Sequence, residues 1–208
     1  MGNQCVIIGS GLGGLSCGVV LAKNGYNVTI IEQHHQIGGC LQCFSRAGVK
    51  FESGMHFIGS ASKGQTLDRL LRYLEVKDQI PLSQLDPSGY NIIALGGREY
   101  RFTNGRDNFL RQMSAYFPDE EADLTRYYDL IERVAGASRL HSLSPTATEE
   151  ALDPEFLSRS INDVMAQTVA NPTLRNVLMG ALPLYAAEQN KTPFATHAFV
   201  TDFYNQSA

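Results

Sequence analysis

Apolar positions near the N-terminus run together. Cys5 to Ile8 is a short apolar run of the kind that fills a buried parallel strand, and Tyr26 to Ile31 reads as a second strand. Between them, Leu15 to Lys23 follows a helical pattern that Asn24-Gly25 stops. Further along the spacing changes. Leu67, Leu70, Leu71 and Leu74 recur at i, i+3, i+4 and i+7, which predicts an amphipathic helix over 66–76. Tyr90 to Leu95 and Arg98 to Phe102 flank Gly96-Gly97 as a β-hairpin. Phe109, Met113 and Phe117 mark a helix that stops at Pro118. The next helix starts around Asp119-Glu120-Glu121, whose acids suit a first turn, and Leu124, Tyr127, Tyr128, Ile131 and Val134 form its apolar face. Ser142 to Pro154 reads as a linker or loop. Helical patterns follow around Ile161, Val164, Met165 and Thr168, and around Leu174, Val177, Leu178, Ala181 and Leu182. A last helix begins near Pro193, which is suited to a first helical position. These stripes are most simply core faces packed on one another, although the same spacing could line an apolar tunnel.

The junction between the first strand and the first helix carries chemistry. Gly9-Ser10-Gly11-Leu12-Gly13-Gly14 fills the G-x-G-x-x-G template of a dinucleotide site. Gly9 makes the tight exit from the strand, Gly11 lets a pyrophosphate approach the backbone, and Gly14 lets the helix pack on the strand. The N–H groups of the first helical turn are then left for phosphate oxygens. Glu32 stands at the end of the second strand, about 20 residues on, where a carboxylate accepts ribose hydroxyls and disfavours a 2′-phosphate. A regular NAD-binding domain would continue with alternating helices and strands. Here Gln33 is followed by His34-His35, and then by a second glycine loop, Gly38-Gly39. The stretch from Gly48 to Gly59 alternates glycine, aromatic and β-branched residues, as short strands or an extended loop would.

The chain has 208 residues, a formal charge of -4 and 43% hydrophobic residues, enough for a real core and for one or two domains. No basic stripe is present, which argues against a nucleic-acid partner. No apolar stretch reaches the ~18 residues of a membrane span, although attachment to a membrane surface stays open. The N-terminus has no basic region before its apolar residues, so an intracellular, cytoplasmic protein is expected.

The turn at Gly9 to Gly14, Glu32, Gly38-Gly39 and then Gly54-x-His56-x-x-Gly59 together resemble the FAD-dependent oxidoreductases of the amine-oxidase-like superfamily. The similarity is greatest to the branch of phytoene desaturases, carotenoid isomerases and retinol saturases, and Phe194 to Tyr204 also looks like a segment of that branch. The resemblance implies FAD as cofactor, with its pyrophosphate on the first turn, its adenosine ribose on Glu32, and the Gly-Gly loop near the ribityl and phosphate groups. The expected cofactor contacts are Gly9, Ser10, Gly11, Leu12, Gly13, Gly14, Glu32, Gln33, Gly38, Gly39 and His56. It also implies a small apolar, polyene or isoprenoid-like substrate whose carbon–carbon bonds are desaturated, saturated or isomerised. The fold class expected is α/β. Residues 1–62 form the N-terminal half of an FAD-binding Rossmann-like domain, and residues 63–208 form a mostly helical substrate or cap region with a small hairpin. Two parallel strands do not make a stable doubly wound sheet, so further strands are expected beyond the chain end, as in an N-terminal fragment of a longer enzyme.

Several residues carry competing readings. His56 between Met55 and Phe57 reads either as a residue near the cofactor or as a packed core histidine. Cys5 and Cys17 read as small buried hydrophobes. Cys40-x-x-Cys43 follows the Gly-Gly loop, so a flavin-linked dithiol or disulfide reductase is an alternative function, and an inactive nucleotide-binding fragment is another. No metal site is expected, and no general acid or base can be named from the sequence.

Overall fold

The structure is a computed structural model that describes residues 2–143 and 152–208; most of the linker expected at Ser142 to Pro154 lies outside the described residues. The chain forms two compact units, one of residues 1–57 and 71–79, the other of residues 58–70 and 80–208.

The first unit begins with β1 (Gln4–Ile8), α1 (Leu12–Lys23) and β2 (Asn27–Ile31). The strands pair in parallel, with Gln4 opposite Asn27 and Ile8 opposite Ile31. Period-two alternation splits them into two faces. Cys5, Ile7, Val28 and Ile30 turn toward α1, where Gly18 comes so close to the sheet that an added Cβ would lie 3.0 Å from Ile30 Cδ1. The other face is open: Val6, Ile8 and Ile31 are 60, 88 and 54% exposed. Cys17 is exposed as well, so it is not the buried hydrophobe expected; it stands on a part of α1 that does not face the sheet. After β2 comes an antiparallel hairpin, β3 (Cys43–Arg46) and β4 (Val49–Glu52), whose Phe44 and Phe51 rings stack at 5.2 Å.

Helix α2 (Thr66–Tyr73) is shorter than its leucine spacing predicts. Its end is set where Glu75 turns to a φ of 62°, with its N–H donating to the Arg72 carbonyl and the Val76 N–H to the Leu71 carbonyl. Such a left-handed residue ends a helix even where the apolar repeat continues. Lys23 of α1 pairs with Glu75 in the same unit.

The second unit holds the core. Strands β5 (Asn91–Leu95) and β6 (Arg98–Phe102) form the expected hairpin, with Gly96 and Gly97 at φ 61° and 77° as a two-residue primed turn requires. Helix α3 (Arg106–Tyr116) packs on β6: Tyr100 stacks on Phe117, and Phe102 meets Phe109 edge-on. Helix α4 (Glu121–Gly136) buries Leu124, Tyr127, Tyr128, Ile131 and Val134, so its stripe is a core face. Two short turns of helix follow, α5 (Arg139–Ser142) and α6 (Glu155–Ser158). Helix α7 (Ile161–Thr168) is capped by Ser160, whose Oγ accepts from the Asp163 N–H and donates to the Asp163 carboxylate. Helix α8 (Pro172–Leu178) is capped by Asn171. The apolar pattern runs on to Leu182, but the helix stops at Leu178. Gly180 is pressed against Ile93, and a tight turn of Leu182–Tyr185 follows. Helix α9 (Phe194–Gln206) begins one residue after Pro193, which occupies the cap and not the first helical position. Gly59 lies against its last turn, where a Cβ would fall 2.2 Å from the Phe203 carbonyl oxygen.

At the centre of this core, His197 of α9 is wholly buried among hydroxyl groups. Burial alone pulls its ring down from 6.5 to about 4. Between those values the unfolded chain binds a proton that the folded ring refuses, so stability rises with pH across that window. Chemical denaturation as a function of pH is expected to show stability intact above about 6.5 and reduced by up to about 3 kcal/mol on going down to about 4, and a His197→Gln chain is expected to lack this component.

Candidate functional site

The glycine turn lies wholly in the first unit and is built by backbone approach. Gly9 leaves β1 at φ 97°, and its N–H donates to the Ile31 carbonyl at 2.7 Å. A Cβ on Gly14 would lie 2.2 Å from the Gly9 carbonyl oxygen, so only glycine lets α1 start so close to the strand exit. A Cβ on Gly11 would meet nothing, so the space in front of it is open. No side chain caps α1, and no acid stands in its first turn. Its leading N–H groups therefore face that space with the positive end of the helix dipole behind them.

The second glycine loop closes on the first. The Gly38 N–H donates to the Ser10 carbonyl at 3.0 Å, and Gly38 bridges to Gly11. Gly39 comes so near that its Cβ would fall 3.0 Å from Gly11 Cα. Glu32 sits on the other flank. Ser10 donates to its Oε2 twice, from N–H at 2.8 Å and Oγ–H at 2.6 Å, and the His34 N–H donates to Oε1 at 2.9 Å. The Ser10 hydroxyl first, then the His34 and Ser10 amides, hold the carboxyl at about 2, well below its usual 4.5. Oε1 keeps acceptor capacity for a further donor.

Gln33 and His34 join this cluster through their main-chain N–H groups. Gln33, His34 and His35 are exposed, and the two imidazoles lie 4.2 Å apart. His56 is exposed in a loop and is therefore not the packed core histidine of the competing reading. Cys40 is exposed, and the Cys43 thiol donates to Glu52 Oε2 at 2.9 Å. The hydrogen bond to Glu52, followed by burial and the carboxylate charge, pushes the Cys43 thiol up, away from the thiolate that redox chemistry uses. Among the described residues no group of histidine, cysteine or acidic side chains could hold a metal ion, and no helix is long and apolar enough to cross a membrane. Sequence reasoning missed the hydroxyl cluster around His197. Its sequence signal is no more than a histidine and a threonine one turn apart in Phe194 to Tyr204.

Strand, glycine turn, helix, second strand and terminal carboxylate define a Rossmann-like nucleotide-binding unit. Residues 7–74 match the NAD(P)-binding Rossmann-like domain family. The chain is a homologue of the all-trans-retinol 13,14-reductases and prolycopene isomerases. It is 33% identical to the all-trans-retinol 13,14-reductase of Rattus norvegicus, over 99% of this chain and 36% of that protein. To prolycopene isomerase 2, chloroplastic, of an Oncidium hybrid cultivar it is 27% identical, over 72% of this chain and 25% of that one. The crystal structure of a CLA-producing fatty acid isomerase from P. acnes superposes with a TM-score of 0.57 at 18% identity, covering 98% of this chain and 44% of that one, which shows a shared fold. The chain spans about a third of the length of the retinol reductases it matches.

Removing the largest contributor at Glu32 should be measurable directly. In Ser10→Ala the main-chain amide donors remain, so the carboxyl is expected to titrate above about 2 while staying below 4.5, as followed by 13C NMR of the side-chain carboxyl. The sign for stability follows: the Glu32 contribution is present above 4.5 and fades as pH falls toward about 2, and in the variant it fades earlier.

Proposed function

We propose that the chain contributes the dinucleotide site and part of the substrate region of an FAD-dependent oxidoreductase that acts on carbon–carbon bonds of an apolar polyene or isoprenoid-like substrate. The observation that carries this reading is the double glycine closure. An uncapped helix N-terminus opens onto free space at Gly11, Gly38-Gly39 lies directly behind it, and the Glu32 carboxylate stands on its flank. This donor set fits a dinucleotide. Backbone amides of Leu12, Gly13 and Gly14 would bind the pyrophosphate, and Glu32 would accept a ribose hydroxyl on Oε1 while Ser10 keeps the carboxylate oriented. The same carboxylate would repel a 2′-phosphate, which disfavours NADP. The second glycine loop in place of a regular helix–strand repeat favours FAD over NAD. When bound, the flavin supplies hydride or electron transfer. The open face of Val6, Ile8 and Ile31 is one that a second covering layer of a Rossmann sheet would bury. Substrate class is supported by the names of the homologues, a retinol reductase and a prolycopene isomerase, both of which denote polyenes.

The dithiol alternative is not favoured, because the Cys43 thiol is held protonated by Glu52. Nothing favours an inactive fragment.

The purified full-length protein is expected to retain a visible flavin spectrum after incubation with FAD and removal of free ligand. Glu32→Ala is expected to weaken FAD binding about 10- to 100-fold, as loss of a charge-assisted hydrogen bond does. Retention of NADP in preference to FAD would overturn the reading. Replacing Cys40 and Cys43 together by serine should leave turnover of a polyene largely intact; abolished turnover with flavin still bound would restore the dithiol reductase.

A further inference from the structure

The second unit carries a cavity of its own. It holds about 550 Å³ between a loop at Asp86 and Ser88, Thr103 just past the end of β6, and a face of α3 that carries Asn108, Arg111 and Gln112. That is the size of many small-molecule sites. The three helical residues stand three and four apart and so share one face. Hydrogen bonds fix the walls. The Asn104 N–H donates to the Pro87 carbonyl at 2.9 Å, and the Gly89 N–H closes the loop on the Asp86 carbonyl at 3.0 Å. From the helix side, Asn108 Nδ2 donates to the Asn104 carbonyl at 3.1 Å.

Two groups in this lining stand without a partner. Thr103 is 6% exposed, and its Oγ1 has no hydrogen-bond partner among the described residues. A buried hydroxyl left unpaired is costly, and native interiors contain few. An aliphatic residue of the same shape would fill the space without that cost. The second group is the Arg111 guanidinium, which is exposed and has no ion pair or hydrogen bond among the described residues. The acid of the lining differs. Ser88 donates to Asp86 Oδ1 from its hydroxyl at 2.7 Å and its N–H at 2.9 Å. These bonds, the hydroxyl first, and then the Arg101 charge hold that carboxyl below its usual range. The uncompensated charge of the cavity is therefore the cation.

We propose that this cavity binds a small carboxylic acid as its carboxylate, with Arg111 supplying the charge and Thr103 a hydroxyl donor. The planar guanidinium fork matches the two oxygens of a carboxylate. The side-chain amides of Asn108 and Gln112 offer further donors in the same wall. Asp86 sets the charge limit. A singly charged planar group meets less repulsion from it than a phosphate dianion does. The inference does not rest on the dinucleotide reading, because its residues belong to the second unit.

The test is NMR of the full-length protein labelled at threonine methyls and arginine side chains, titrated with butyrate, butyramide or inorganic phosphate. Butyrate is expected to shift the Thr103 methyl and the Arg111 Nε signals together, and to saturate. Butyramide has the same shape without the charge and should bind about tenfold more weakly or worse. Arg111 is exposed, so Arg111→Gln should fold normally and bind butyrate about tenfold more weakly. Thr103→Val keeps the shape and removes the unpaired hydroxyl. It should weaken butyrate binding about 3- to 10-fold and leave the melting temperature unchanged or raised. Shifts that never saturate, or butyramide binding as tightly as butyrate, would overturn the proposal. So would wild-type affinity for butyrate in either variant. Phosphate binding more tightly than butyrate would overturn the carboxylate assignment. A clear loss of stability in Thr103→Val would mean that the hydroxyl has a partner inside the protein, and would remove the ground on which the site stands.

Discussion

Two close backbone approaches shape the first unit. Gly14 sits against the Gly9 carbonyl, and Gly39 against Gly11 Cα. The first sets where α1 begins relative to β1; the second lays a later loop over the same turn. A Cβ at Gly14 would fall 2.2 Å from the Gly9 carbonyl oxygen, closer than any side chain allows, and one at Gly39 would fall 3.0 Å from Gly11 Cα at a φ of 57°, so both positions favour glycine and bring the three segments together. The geometry of the helix N-terminus is then set by main chain alone. That is what a site for a pyrophosphate needs, since amide donors do not depend on side-chain rotamers and carry no competing charge.

The carboxylate beside that turn is held by the same piece of backbone. Ser10, inside the glycine motif, donates to Glu32 from both its N–H and its hydroxyl, so the acid and the glycine turn cannot move independently. Its low affinity for protons is the electrostatic expression of that coupling: the Ser10 hydroxyl and neighbouring main-chain amides converge on one carboxylate and favour the charged form. The unit is otherwise sparing in its interactions. One face of a two-stranded sheet is covered by α1, and the other presents Val6, Ile8 and Ile31 to solvent. Parallel strands of this composition are ordinarily covered on both faces.

What could be read from sequence divides along the same physical line. The first strand, turn, helix and second strand were legible because their signals are local: an apolar run, a glycine template, a helix stop and an acid at a fixed offset. The hairpin at Gly96-Gly97 was legible for the same reason. Where tertiary context decides, the sequence was silent or misleading. The leucine repeat ran past Tyr73, but a left-handed Glu75 ended α2. The pattern ran past Leu178, but Gly180 meets Ile93. Cys17 reads as a small buried hydrophobe and His56, between Met55 and Phe57, as either a cofactor neighbour or a packed core residue, yet both are exposed. Apolar neighbours in sequence say little about which way one side chain turns in a loop or on a helix flank.

The cluster at His197 shows the limit most plainly, because its members come from positions 70 and 12 residues away from the histidine. No local pattern marks them: Tyr127 reads as one more residue in an apolar stripe, and nothing in the sequence singles out Tyr185. Yet a wholly buried imidazole is costly in a core unless both nitrogens are satisfied, and an aliphatic residue of similar size would fill the space without that cost. The structure satisfies both nitrogens with hydroxyls, groups that can donate or accept, and not with carboxylates or carbonyls, which can only accept. Acceptors on both sides would lock or protonate the ring. Hydroxyls on both sides satisfy both nitrogens of a ring that burial keeps neutral.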